Sequence, residues 1–328
     1  MDDMIQRFPA QLREALEIGR NASISPLDKT PHQIYVAGLG GSGIGANFVA
    51  EFVRDELKIP YLVGKGYDIP AYIGPDTLGV ASSYSGNTEE TLSAYDLMKN
   101  AGARIIVIAS GGKLIEKAKA DGFDYIKVPD NWASPRACLG YSLVQQLCML
   151  EKLGLISSEK VDQIASSADL LDKEQEDIRE KAKRIAPLLH GKIPVIYTTD
   201  RMEAVAMRFR QQINENAKAL CWHHVIPEMN HNELVGWRDK NDDLAVVYFR
   251  NRDDFARNVT RIDINKEIIG HYTSTIIDLF SKGGSLVERA MYFVHLGDWI
   301  SWELAELRNM DAVEVKVIDF LKGELAKQ

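Results

Sequence analysis

The stretch Leu78-Gly79-Val80-Ala81-Ser82-Ser83-Tyr84-Ser85-Gly86-Asn87-Thr88-Glu89-Glu90-Thr91 passes from a short apolar run, through hydroxyls around a glycine, into helix-forming residues. Leu78 to Ala81 reads as a buried strand and Thr91 to Met98 as the body of a helix. Between them, Ser83, Ser85 and Thr88 can all face one anion. A helix N-terminus leaves backbone N–H groups unpaired and carries partial positive charge, so it stabilises a phosphate without any lysine. One such serine or threonine is more simply an ordinary N-cap. Three of them around Gly86 favour a phosphate site.

Upstream, Gln33 to Gly38 is an apolar strand running into Gly38-Leu39-Gly40-Gly41-Ser42-Gly43 and then a helix, Ile44 to Leu57. This spells GxGxxG in a strand-turn-helix setting, so a dinucleotide site is the first rival. That reading requires an acidic residue for the ribose at the end of the next strand. The strand Ile59 to Val63 ends instead in Gly64 and Lys65. Gly41 and Ser42 then suit a compact turn against a monophosphate or sugar. Further strands at Arg104 to Ala109 and Tyr125 to Val128 alternate with a helix at Lys113 to Ala120, which predicts a doubly wound parallel sheet covered on both faces. Ligands of such sheets sit beyond the carboxyl ends of the strands, so the loops at Ser42 and Ser83 can share one ligand. Arg136, in Ser134-Pro135-Arg136 after the fifth strand, either joins that site or caps a surface turn.

The 328 residues allow two domains, and 45% hydrophobic content can fill a core in each. A net charge of −8 argues against general affinity for nucleic acid or anionic membranes. Cys138, Cys148 and Cys221 are odd in number and form no CxxC pair, so neither a disulfide framework nor a zinc site is expected, and a reducing cytoplasm fits. Met1 to Gly19 spaces Ile5, Phe8, Leu12 and Ala15 as a helical stripe, unlike a signal sequence. Leu286 to Leu307, interrupted by Glu288, Arg289, Asp298 and Glu303, reads as a buried helix and not a membrane span.

A helix at Leu139 to Leu153 and a long charged helical region, Ser157 to Leu189, lead into a second run of alternation. The expected division is 1–155 and 156–328. Strands are predicted at Ile193 to Tyr197, Cys221 to Ile226, Leu244 to Phe249 and Ser274 to Leu279. Asp200 and Glu203 have capping-box spacing for the helix carrying the buried stripe Val205, Phe209, Ile213 and Ala217. Glu215 lies off that stripe. A lone glutamate there is ordinarily solvated, but after one further strand comes Pro227-Glu228-Met229-Asn230-His231-Asn232-Glu233, a dense polar turn. His231 can move a proton near neutral pH and is favoured over His223 and His224, which belong to the preceding strand.

The segments from Gly38 and Ser83, Ser134-Pro135-Arg136, Asn214-Glu215-Asn216 and Asn230-His231-Asn232-Glu233 together resemble the bifunctional phosphoglucose/phosphomannose isomerase family of the sugar isomerase (SIS) domain superfamily. The resemblance spans both halves, with its motifs in order. It implies two SIS-type α/β domains, each Rossmann-like, and a cytoplasmic aldose-ketose isomerase of glycolysis and gluconeogenesis that acts on hexose 6-phosphates without metal or organic cofactor. By this resemblance Gly41, Ser42, Ser83, Ser85 and Thr88 hold the phosphate, and Glu215 is the base that carries a proton between carbons 2 and 1 through a cis-enediol. Arg136 stabilises charge on the enediol oxygens. His231 helps open the sugar ring from the neighbouring subunit of a homodimer, and Lys322 matches a late lysine that returns to the site for the same step. One position departs: the family commonly has Asp-Pro-Thr where this chain has Asp311-Ala312-Val313, which bears on the mannose 6-phosphate reaction. The alternative function is a non-catalytic sugar-phosphate-binding protein, which needs the hydroxyl cluster but not Glu215, His231 and Lys322 together.

Overall fold

Strands of Ile and Val with both faces apolar belong inside a parallel sheet flanked by helices. The computed structural model describes residues 1–327 and has this arrangement twice. After helices α1 (Asp2–Gln6) and α2 (Phe8–Asn21) the chain runs β1 (Gln33–Ala37), α3 (Gly40–Val53), β2 (Tyr61–Gly64) and β3 (Thr77–Ser82). It continues through α4 (Glu89–Asn100), β4 (Arg104–Ala109), α5 (Gly112–Asp121), β5 (Asp124–Lys127), α6 (Leu139–Lys152) and α7 (Glu159–Leu189). The first five strands form one parallel sheet in the order β2-β1-β3-β4-β5, with Val36 between Val63 and Val80. From β1 the chain crosses to β2 on one side, and from β3 to β4 on the other. The loops after β1 and β3 therefore flank the crevice where the connections diverge.

The second run is β6 (Ile193–Thr199), α8 (Glu203–Asn216), β7 (Trp222–Ile226), β8 (Leu244–Arg250), α9 (Ala256–Ile269), β9 (Ile276–Phe280), α10 (Leu286–Leu307) and α11 (Lys316–Leu325). Its four parallel strands lie in the order β7-β6-β8-β9, which repeats β2-β1-β3-β4. The α8 stripe Val205, Phe209, Ile213 and Ala217 is buried, as its spacing predicts. Phe209 meets Phe249 edge-on at 5.5 Å, and Phe249 meets Phe293 at 4.8 Å. Each such ring contributes about 1.5–3 kcal/mol by leaving water. Within α10, Asp298 pairs with the buried Arg208 of α8 at 2.9 Å. Among the described residues no helix is long and apolar enough to cross a membrane.

One compact unit consists of Gln6–Lys173 with Gly283–Met291, and the other of Met1–Ile5, Glu174–Lys282 and Tyr292 onward. The division falls inside α7, whereas the sequence reading set it at 155/156. Side chains explain the position. Arg13 of α2 reaches Asp169 and Asp172 at 2.7 Å each, fastening the first part of α7 to its own unit. Further along, Asp177 pairs with Lys282 at 2.9 Å and Arg179 lies 4.6 Å over the Trp299 ring.

Two local expectations fail. The helix after β1 begins at Gly40 and not at Ile44, so Gly41 and Ser42 form its first turn. The capping box at Asp200 and Glu203 is not formed, because a 3-10 turn at Asp200–Met202 makes Glu203 the first α-helical residue. No side-chain cap bond serves either start.

Candidate active site

The turn between β3 and α4 folds around Gly86, whose φ of +68° belongs to the left-handed region. A Cβ there would sit 1.8 Å from the Gly111 carbonyl, so only glycine fits. Its N–H donates to Ser83 Oγ at 3.2 Å, and Ser83 Oγ lies 2.8 Å from Thr88 Oγ1. Thr88 occupies the N-cap position of α4, yet its hydroxyl makes no capping bond. The plain capping reading thus fails for Thr88. Asn87 stiffens the turn: its N–H donates to Ser85 Oγ at 3.2 Å and its Oδ1 accepts from the Lys113 N–H at 3.1 Å. Ser83 is buried, Thr88 half-buried and Ser85 exposed.

Across the crevice, Ser42 Oγ accepts the Tyr84 N–H at 3.2 Å, which joins the two loops directly. A Cβ on Gly43 would lie 2.4 Å from the Gly38 carbonyl, so glycine is required where α3 leaves β1. The chain after β5 returns over this helix start. A Cβ on Gly41 would stand 3.3 Å from the Pro135 carbonyl and 3.8 Å from Arg136 Cα. Arg136 is only 7% exposed, which removes the surface-turn alternative for it. Ser42, Ser83, Thr88 and the Arg136 turn therefore gather at one sheet edge. Behind them Ser42, Tyr84, Cys138 and Ser142 line a cavity of about 10 Å³, room for roughly one water. Burial foremost, then Cys138, pushes the Tyr84 phenol well up, so it stays protonated.

The sequence marks Lys65 only as the absence of a ribose acid and assigns it no role in the site. It follows β2, where a dinucleotide fold carries its ribose acid, and its Cε lies 3.5 Å from a Cβ built on Gly43. A cation there suits an anion at the start of α3.

The other unit holds Glu215, His231 and Lys322. Glu215 is half-buried in the last turn of α8. Its neighbour Asn216 is fully buried and donates to Ser301 Oγ at 2.9 Å, which sets the rotation of that turn. Lys218 Nζ donates to the Glu215 carbonyl at 2.6 Å and to the Glu314 carbonyl at 2.8 Å. The departing position, Val313, thus adjoins a residue tied to the end of α8. Lys322 lies on α11, where it is exposed along with Val317, Phe320 and Leu321.

His231 is exposed in a 3-10 turn after β7. Its loop is held by Glu233, whose Oε1 accepts from Tyr197 Oη at 2.5 Å and Trp222 Nε1 at 3.0 Å. Asn230 donates to Asn265 Oδ1 at 2.6 Å. Because α8 returns antiparallel to the strands, Glu215 lies before β7 and His231 after it. Five residues at about 3.3 Å each put roughly 16 Å between these ends. Within one subunit the fold keeps the two apart. His223 is elsewhere, 4.0 Å from Glu203 at the start of α8. Burial pushes the Cys148 and Cys221 thiols up to about 12, which disfavours either as a nucleophile.

Residues 178–325 match the family described as the bacterial phospho-glucose isomerase C-terminal SIS domain, and residues 29–150 match the SIS domain. A bifunctional phosphoglucose/phosphomannose isomerase of Caldicellulosiruptor bescii is 41% identical over 100% of this chain and 99% of its own length. The chain belongs to the bifunctional phosphoglucose/phosphomannose isomerase family. A second member, from Aquifex aeolicus, is 37% identical over 92% of each chain. A D-glucosamine-6-phosphate 4-epimerase of Sulfolobus acidocaldarius is 30% identical over 90% of this chain and 92% of its own. Among solved structures, tagatose-6-phosphate ketose/aldose isomerase from Escherichia coli superposes with a TM-score of 0.69 at 14% identity, covering 95% of both chains. The C-terminal domain of glucosamine-fructose-6-phosphate aminotransferase from Francisella tularensis gives 0.72 at 13% identity, over 94% of this chain and 96% of that one. These structures share the two-domain SIS fold.

Proposed function

We propose that this protein is a cytoplasmic aldose-ketose isomerase interconverting fructose 6-phosphate with glucose 6-phosphate and mannose 6-phosphate. The reading rests on family membership, and the observation that carries it furthest is the Ser83 and Thr88 hydroxyl pair, left uncommitted by the helix it precedes. Ser42, Ser83, Ser85 and Thr88, with Gly41, bind the phosphate. Glu215 takes the proton from carbon 2 and returns it at carbon 1 through a cis-enediol. One carboxylate can act as base and then acid, so a single proton relay suffices. Arg136 stabilises the negative charge that develops on the enediol oxygens.

Ring opening falls to Lys322 and to a histidine. The separation of Glu215 from His231 along β7 supports a homodimer in which the partner subunit's His231 completes the site. The exposed α11 face of Val317, Phe320 and Leu321 agrees with further burial on assembly. The test is to incubate chelator-treated protein with fructose 6-phosphate and follow both aldoses separately. Both products are expected. Binding of the sugar phosphate without either product would turn the reading to a sensor.

A further inference from the structure

Lys218 has φ +52°, in the left-handed region that disfavours any residue with a Cβ. It stands just past the α8 C-terminus, where the Ala219 N–H reaches back to the Ile213 carbonyl at 3.4 Å. Glycine is the usual occupant of that position. Backbone economy therefore does not account for a lysine.

The side chain does. Its ammonium bridges the carbonyls of Glu215 at 2.6 Å and Glu314 at 2.8 Å, and lies 3.8 Å from the Glu314 carboxylate. Arg308, at the end of α10, donates Nε to the Ala217 carbonyl at 2.8 Å and Nη2 to the Lys218 carbonyl at 3.4 Å. Val313 N–H donates to Asp311 Oδ1 at 2.7 Å, so the bridged segment has its own turn. α11 has no buried residue to hold it from further along.

We propose that Lys218 is a positioning residue, clamping the segment 311–315, and through it α11 with Lys322, to the turn of α8 that carries Glu215. The proposal rests on the reading of Glu215 and Lys322 above. It predicts that activity and backbone comfort pull in opposite directions at this position.

The experiment compares full-length Lys218→Gly and Lys218→Arg with the full-length parent enzyme. Lys218→Gly relieves the backbone and removes the ammonium. Its Tm should hold or rise, while kcat falls roughly 10- to 100-fold with KM changed about twofold at most, the scale of a displaced reacting group. Amide hydrogen exchange across 311–325 should quicken in substrate-free protein. Lys218→Arg keeps charged donors and should restore most of the rate and the protection. Unchanged exchange in Lys218→Gly would overturn the clamp. So would faster exchange with kcat at the parental level. The exchange result is read without substrate, so it fails or holds apart from the assignment of Glu215 as base.

Discussion

The proposal that the site is shared between subunits makes a quantitative prediction from one strand. Glu215 precedes β7 and His231 follows it, and the five residues of β7 span about 16 Å. Proton transfer needs donor and acceptor within about 3 Å, directly or through one water. That span is wider than one sugar ring, so the proposed function has each site take the two groups from different chains. The perturbation is to mix Glu215→Gln and His231→Ala proteins, each of low activity, under conditions of proven subunit exchange. In a hybrid dimer one site combines Glu215 from the second variant with His231 from the first, and the other site lacks both. With equal amounts and free exchange, about half the dimers are hybrids and half their sites are complete, so about one quarter of parental activity returns. The assay is formation of glucose 6-phosphate from fructose 6-phosphate, coupled to NADP reduction by glucose-6-phosphate dehydrogenase. Activity that stays at the level of the unmixed variants, with hybrids demonstrated by native mass spectrometry, would refute the reasoning.

Three further outcomes follow from the same geometry. Glu215→Gln should lower kcat by ~10²–10⁴-fold while phosphate affinity changes little, the scale of a lost general base; turnover near the parental value removes Glu215 from the mechanism. Val313→Thr should raise mannose 6-phosphate formation relative to glucose 6-phosphate, measured as the product ratio from fructose 6-phosphate, and an unchanged ratio would free position 313 of any part in epimer selection. Asp298→Ala leaves Arg208 buried without its carboxylate partner and should destabilise by about 3–5 kcal/mol, read from the denaturant midpoint and slope. A loss below about 1 kcal/mol there would mean that water or a neighbouring group takes over the guanidinium.

Several features are legible in the sequence itself. The sequence bounds Arg104 to Ala109 and Leu286 to Leu307 to the residue, because runs buried on all sides and runs interrupted by charge differ plainly in composition. The sequence predicts the start of α3 four residues late, since glycine is a poor helix former and Gly40 to Gly43 read as loop. Asp200 and Glu203 had capping-box spacing, but spacing alone cannot register an intervening 3-10 turn. Lys218 carries no signal as a single charged residue in a polar stretch, and the sequence marks Lys65 only as the absence of an acid after β2 and Glu233 only as part of the His231 turn, with no contact implied for either. Their partners, near Gly43, at Glu314 and at Tyr197 and Trp222, are distant in sequence or in another element.

The sequence by itself determined the alternating α/β architecture, the two runs of strands and the hydroxyl cluster at Ser83, because local burial and turn chemistry repeat at short range. Only the tertiary structure decided that Arg136 is buried beside the start of α3, and that Thr88 leaves its helix uncapped to meet Ser83. It alone put Glu215 and His231 at opposite ends of β7. The reason is physical: sheet order and the direction of each crossover set which ends of the elements meet, and those depend on pairing between residues far apart in the chain.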